Sequence, residues 1–202
     1  VRILSSEVKS LAHWTPVHVH LGASEISGRV ALLEKIEIEP NKTGLVQIVL
    51  DRRISALKND RFILRDQSAR RTIGGGEIID PFSPARGRAK LQRISFLRAM
   101  ELSKADVSVR ELLTLLPSGL NLSNFFKSWN LTEDEQQKII NNVQFIKIGS
   151  GNELTALSPK YFNEIAAAIV AALEDWHSRN SNKPGLGQDK LRNVLLIGTQ
   201  LN

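Results

Sequence analysis

The stretch Arg61 to Asp80, RFILRDQSARRTIGGGEIID, constrains this chain more than any other. Arg61, Phe62, Ile63, Leu64 and Arg65 form an alternating strand pattern, with one buried face and one wet face. A basic turn, Asp66 to Arg71, follows, then Thr72-Ile73, three glycines and the apolar run Glu77 to Ile79. Gly74 to Gly76 let a backbone bend or pass close to a neighbour, as barrel strands do at corners. Such a hairpin sets Arg65, Arg70 and Arg71 on a rigid rim, a place suited to holding a phosphate backbone.

The rest of residues 1–80 also reads as β. Val17 to Leu21 alternates, and Gly28 to Leu33 follows a turn. Leu45 to Leu50 comes after the turn Pro40-Asn41-Lys42-Thr43-Gly44. Short strands with turn signals this often predict a sandwich or barrel, and closing the sheet removes its exposed edges. Pro81 to Arg88 then breaks the pattern with prolines, glycine and charge, which predicts a domain boundary.

From Leu91 the period becomes helical, with Leu91, Ile94, Leu97 and Ala99 or Met100 as one apolar stripe. Val107 to Leu116 predicts a second helix, capped by Asp106 or Ser108 and stopped by Pro117-Ser118-Gly119. A third helix follows over Asn121 to Trp129, capped by Asn121 or Ser123. Thr132 with Glu135 predicts a capping box and a helix to about Asn142. Phe145 to Ile148, the turn Gly149 to Asn152 and Glu153 to Leu157 read as a hairpin, so helices precede a two-stranded wing. Ser158-Pro159 opens another helix, reaching His177. Leu191 to Leu196 begins one more, as though a second winged helix starts here.

The net charge is +6, but it is uneven. Residues 1–90 hold 15 Lys/Arg against 10 Asp/Glu, whereas 91–202 hold 12 against 11. Within 52–90 the count is 10 against 4, so the positive field belongs to the end of the barrel and the linker. A localised basic patch is a nucleic-acid footprint; the alternative is a solvated edge that discourages aggregation. There is no cysteine, which excludes disulfides and thiolate metal sites and fits a reducing compartment. No run of 18 apolar residues is present, so no membrane-spanning helix is expected. The strand-like start, Val1 to Leu4, reads as a cut through a longer chain.

Few motifs point to catalysis. His18 and His20 share one strand face near His13, but no third zinc ligand is evident. Gly74 to Gly76 lack the Gly-Lys-Ser/Thr of a phosphate loop, and Gly185-Leu186-Gly187 lacks the preceding strand of a dinucleotide site. No nucleophile elbow is present. The helix that should precede the wing opens Glu133-Asp134-Glu135. These acids repel phosphates but suit a helix N-terminus, so this module reads as a spacer rather than a groove reader.

The pattern Arg61-Phe62, Arg65-Asp66, Arg71-Thr72-Ile73-Gly74-Gly75-Gly76 resembles the last hairpin of the third domain of elongation factor Tu, a small antiparallel barrel. LAHWTPVHVHLGASEISGRVALLE (Leu11 to Glu34) resembles the bacterial selenocysteine-specific branch of those factors, the SelB family. LQRISFLRAM and KPGLGQDKLRNVLL resemble its winged-helix extension. The resemblance implies a multi-domain α/β (α+β) chain. Its expected units are a six-stranded antiparallel barrel at 1–82, a linker at 83–90, a winged helix at 91–157 and an incomplete second one at 158–202.

The resemblance also implies a function. The barrel would hold the acceptor/T-stem side of selenocysteyl-tRNA through positions Ser24, Ser27, Gln67, Ser68, Arg70 and Arg71. Arg70 and Arg71 are expected to meet phosphates, each free in its turn. Elongation factor Tu has threonine where Ser27 stands and glycines around Gln67 and Ser68. GTP and magnesium belong to domains outside this chain, so no cofactor, metal or catalysis is expected of it. The ribosome is a partner of the whole factor, and further winged helices would reach an mRNA hairpin. Cytoplasmic localisation follows, with neither membrane nor DNA as a partner. The alternatives are a DNA-binding regulator using the winged helix, or a purely structural fragment.

Overall fold

The computed structural model describes residues 1–180, 185, 187 and 189–191. The first part is β: β1 (Arg2–Ile3), β2 (Leu11–Ala12), β3 (Thr15–Leu21), β4 (Ser24–Leu32), β5 (Glu37–Ile38), β6 (Val46–Leu50), β7 (Arg61–Arg65) and β8 (Thr72–Glu77). Six of these form one curled antiparallel sheet in the order β1-β8-β7-β3-β4-β6, while β2 and β5 pair separately. The edges of the curled sheet meet. Ile3 N–H donates to Lys42 O (3.0 Å), Asn41 N–H to Ile3 O (3.1 Å) and Gly44 N–H to Val1 O (2.9 Å). The segment before β6 is thereby laced to β1, and the sheet is left with an interior.

Alternation fills that interior. Val17, Val19 and Leu21 of β3, Val30 and Leu32 of β4, Phe62 and Leu64 of β7 and Ile73 of β8 are all buried in one cluster. The intervening residues of β3 and β4, His18, His20, Glu25, Ser27 and Arg29, face outward. The glycines lie inside β8 and not at a corner, and the strand ends at Glu77 where the sequence reading begins one. Space explains them. A Cβ on Gly74 would stand 2.5 Å from the Arg2 carbonyl, and one on Gly75 would stand 2.6 Å from that of Phe62. Three glycines let β8 lie close against β1 and β7 together.

The second part contains α1 (Leu91–Met100), α2 (Ala105–Leu115), β9 (Leu120–Asn121), α3 (Leu122–Ser128), α4 (Glu133–Asn142), β10 (Ile146–Ile148), β11 (Thr155–Leu157) and α5 (Pro159–Arg179). β9 adds to β11, which pairs with β10. From α2 onward the order is helix, strand, two helices and hairpin, and β9, absent from the sequence expectation, makes the expected two-stranded hairpin a three-stranded sheet. Asn121 caps α3 by accepting from Asn124 N–H, and Thr132 and Glu135 close the capping box of α4. α2 differs from expectation. It starts at Ala105 after Lys104, and no side chain caps it. Leu91 leaves the expected stripe at 86% exposure, whereas Leu97, Ala99 and Met100 are buried. α5 is one 21-residue helix with Ser158 as its cap and no buried residue. The helix expected over Leu191 to Leu196 lies outside the described residues beyond Leu191.

The two parts are clamped together. Leu33 and Leu45 from the β part and Leu97 of α1 form a buried cluster, with Ile79, Ile94 and Phe96 against it. Arg93 of α1 holds Asp80 at 2.7 Å, with side chains only 13% and 5% exposed. Arg98 reaches both Glu34 and Glu101 at 2.8 Å in a more open setting. Lys58 N–H donates to Ser128 O (2.8 Å), and its ammonium lies 4.1 Å from the centre of the Trp129 ring. Segment 81–90 is tied as well, because Gln47 Nε2 donates to Pro84 O (3.0 Å).

Burial decides which ion pair matters. Removing one partner of a buried pair leaves an unpaired charge and costs about 3 kcal/mol or more, while exposed pairs are worth about 1 kcal/mol or less. Arg93→Ala is therefore expected to lower stability in urea unfolding by about 3 kcal/mol, and Arg98→Ala by less than about 1 kcal/mol. Equal effects would show that Asp80–Arg93 is not the main clamp.

Candidate nucleic-acid interface

Strand register assembles the outward face of the barrel. Ser27 of β4 stands opposite His18 of β3, which stands opposite Arg65 of β7, which stands opposite Thr72 of β8. One row further along, Glu25, His20, Ile63 and Gly75 line up in the same way. On the other side Arg29 faces Pro16. A basic and hydroxyl-bearing row thus crosses four strands.

The Asp66 to Arg71 turn borders this row because it continues from Arg65. Asp66 organises it. One carboxylate oxygen accepts from the N–H groups of Arg70 (2.9 Å) and Arg71 (3.0 Å), and the other accepts from Ser68 Oγ (2.9 Å). Ala69 takes the left-handed conformation at φ 53° to complete the loop. The bond from Arg71 N–H, the Ser68 hydroxyl and the bond from Arg70 N–H, helped by the Arg71 charge, hold the Asp66 carboxyl below its ordinary range. His18 ties the turn to the sheet. Its Nδ1 lies 3.2 Å from Glu25 Oε1, and its Nε2 lies 3.1 Å from the Gln67 carbonyl.

The expected residues divide accordingly. Arg70 is exposed and its side chain projects from the turn. Arg71 is not free as expected, since its guanidinium pairs with Glu7 at 3.5 Å and the Glu7 side chain is only 5% exposed. Gln67 is exposed and its main chain is held by His18, whereas the Ser68 hydroxyl is committed to Asp66. Ser27 lies in the middle of the row. Ser24 does not join it: three residues from Ser27 on one strand, it has the opposite facing, beside Leu21 at the far end of β3.

Sequence reasoning sets Arg65 on the rim with Arg70 and Arg71 but does not join it to His18 and Asp66 in one arrangement. The Asp66-x-Ser68 spacing is a turn signature that points to Asp66. Nothing local points to Glu7. Arg65 Nε and His20 Nε2 are buried and have no protein partner among the described residues. His18 and His20 do not assemble a metal cage, for no group of three or more His, Cys, Asp or Glu is suitably placed among the described residues.

The Asp66 shift fixes the direction of a pH effect. A depressed carboxyl stabilises the turn fully above its unfolded value, near 4, and that contribution fades as pH falls through the lower folded value. Hydrogen-exchange protection of the Arg70 and Arg71 amides should persist at about pH 5 and decline below about pH 4. Asp66→Ala should abolish it at every pH while barely moving the unfolding midpoint. Protection that survives this substitution would mean that Asp66 does not hold the turn.

Residues 1–85 match the family model for the β-barrel domain of selenocysteine-specific elongation factors. The chain is 26% identical over 186 residues to the selenocysteine-specific elongation factor of Escherichia coli, covering 92% of this chain and 28% of that protein. It is 27% identical over 193 residues to that of Desulfomicrobium baculatum, covering 93% and 30%. The chain thus spans under a third of the length of these relatives. A crystal structure of a bacterial selenocysteine-specific elongation factor, EF-Sec, shares the fold with a TM-score of 0.61 at 16% identity, covering 95% of this chain and 28% of that one. The barrel match ends where the helices begin, and the similarity to selenocysteine-specific elongation factors runs on through those helices, so both parts of the chain are similar to the corresponding stretch of these factors.

Proposed function

We propose that this chain serves a selenocysteine-specific elongation factor by holding the stem of selenocysteyl-tRNA on the outer face of its barrel. The observation that carries this reading is the row Ser27–His18–Arg65, bordered by the exposed Arg70. Hydroxyl and guanidinium groups at strand spacing suit the phosphates and 2′-hydroxyls of an RNA stem, which proteins recognise by shape, while His18 holds the bordering turn in place. Arg70 is the main phosphate ligand in this reading. Arg71 positions the turn through Glu7, and Ser24 plays no part in this face.

The helical part acts as a winged helix that spaces the barrel from further modules, and those modules would meet the mRNA hairpin. Its α4 opens with Glu133, Asp134 and Glu135, which disfavours DNA in a groove. We assign GTP and magnesium to other domains of the factor. The glycine run lies in a strand and is followed by Glu77, not by the lysine and hydroxyl of a phosphate loop. We read the chain as non-catalytic and assign it to the cytoplasm with the translation machinery. Among the described residues no helix is long and apolar enough to cross a membrane.

Titrating the chain with selenocysteine tRNA at several salt concentrations tests this reading, with elongator tRNA and duplex DNA as competitors. Binding should prefer the tRNA and weaken steeply as salt rises. Arg70→Ala should weaken it and reduce the salt slope by about one. An unchanged slope would remove Arg70 from the site, and absence of preference at low salt would overturn the tRNA assignment.

A further inference from the structure

Trp14 is not used by this reading, and it is oddly placed. It sits between β2 and β3 with φ 67°, a left-handed conformation that bulky residues rarely adopt. β4 holds it there. Trp14 N–H donates to Val30 O (2.7 Å), and Arg29 Nη1 donates to Trp14 O (3.4 Å). The side chain gains little burial in return, since it remains 41% exposed. His13 lies beside it with ring centres 5.9 Å apart and planes 25° apart, and Leu32 N–H fixes that imidazole through Nδ1 at 3.2 Å. The guanidinium of Arg88 lies over the Trp14 ring at 5.6 Å.

Basic groups gather beside the ring. Arg88 lies over it, Arg29 reaches the Trp14 carbonyl, and Arg86 and Lys90 flank Arg88 in sequence. None of these four appears in an ion pair among the described residues. Trp14 also lies at the end of the barrel that carries the Arg70 turn. Arg65 stands opposite His18, so the turn that follows runs toward the start of β3. Trp14 is four residues from His18, about 13 Å along a strand.

We propose that Trp14, with Arg88 and Arg29, is a stacking site for one unpaired base of an RNA bound on the barrel. The proposal rests on the RNA reading above and adds a feature that a continuous stem does not use. Bases within a duplex hide their faces, whereas an unpaired base presents a π-face to an aromatic ring. The base enters between the Trp14 ring and the guanidinium of Arg88, which moves outward to cover the base as it now covers the ring. Arg29 neutralises the adjoining phosphate. The neighbouring Arg70 turn holds the stem from which the base emerges.

The test uses the whole chain and three hairpin RNAs: a continuous stem, the same stem with one unpaired adenosine, and that stem with an abasic nucleotide at the same position. The wild-type chain should bind the unpaired adenosine about tenfold more tightly than the abasic RNA. Trp14→Ala should erase that difference, Trp14→Phe should keep most of it, and Arg70→Ala should weaken all three RNAs alike. Equal wild-type affinity for the adenosine and abasic RNAs would overturn the proposal while leaving the rim reading intact. So would a preference that survives Trp14→Ala. A Trp14→Ala chain that fails to fold leaves the decision to the wild-type comparison. If no RNA binds even at low salt, the rim reading and the stacking site both fall.

Discussion

The main-chain seam between Val1–Ile3 and Asn41–Gly44 gives this barrel its inside and outside. Without it the six-stranded sheet has two open edges and two faces of similar standing. With it, every second residue of β3, β4 and β7 is committed to the core, and the others to a surface. Valines, leucines and a phenylalanine take the interior. Serine, histidines and arginines take the exterior, in rows fixed by register and not by loop conformation. A one-residue slip would turn all of them over, so the candidate RNA face is as well specified as the core behind it.

Some of this was legible in the sequence and some was not, for physical reasons. Alternation from Val17 to Leu21 and from Arg61 to Leu64 is a local signal, and it reports strands reliably. Thr132 with Glu135 is local too, because a capping box closes within four residues. The cap proposed for α2 failed because Lys104 offers no acceptor side chain, and a tertiary setting starts that helix without one. The three glycines permit either a bend or a close approach, and only the structure shows that they mark the close passage of two neighbouring strands, one of them over 70 residues away. Arg71 looked free because Glu7 is far off in sequence. The row joining Ser27, His18 and Arg65 draws on three strands, and only their register brings it together.

The same distinction applies between the two parts. Nothing in the run Pro81 to Lys90 foretells that Asp80 and Arg93, on either side of it, form a pair shielded from water. Together with Leu33, Leu45 and Leu97 it fixes α1 against the barrel, and Lys58 adds a second tether on α3 and Trp129. The prolines and glycine mark a crossing between cores, and the side chains around it make that crossing stiff.

That stiffness makes α5 a pointer. The helix leaves β11 directly through Ser158 and Pro159, and Tyr161 fastens its first turn by donating to Thr114 O at 2.9 Å. At 1.5 Å per residue its 21 residues extend roughly 31 Å. Tilting the barrel by about ten degrees would swing the far end of α5 through roughly 5 Å, since its lever arm is about 31 Å. A small rotation of the barrel would thereby be magnified at the far end of α5, with no rearrangement inside the helix needed to carry it.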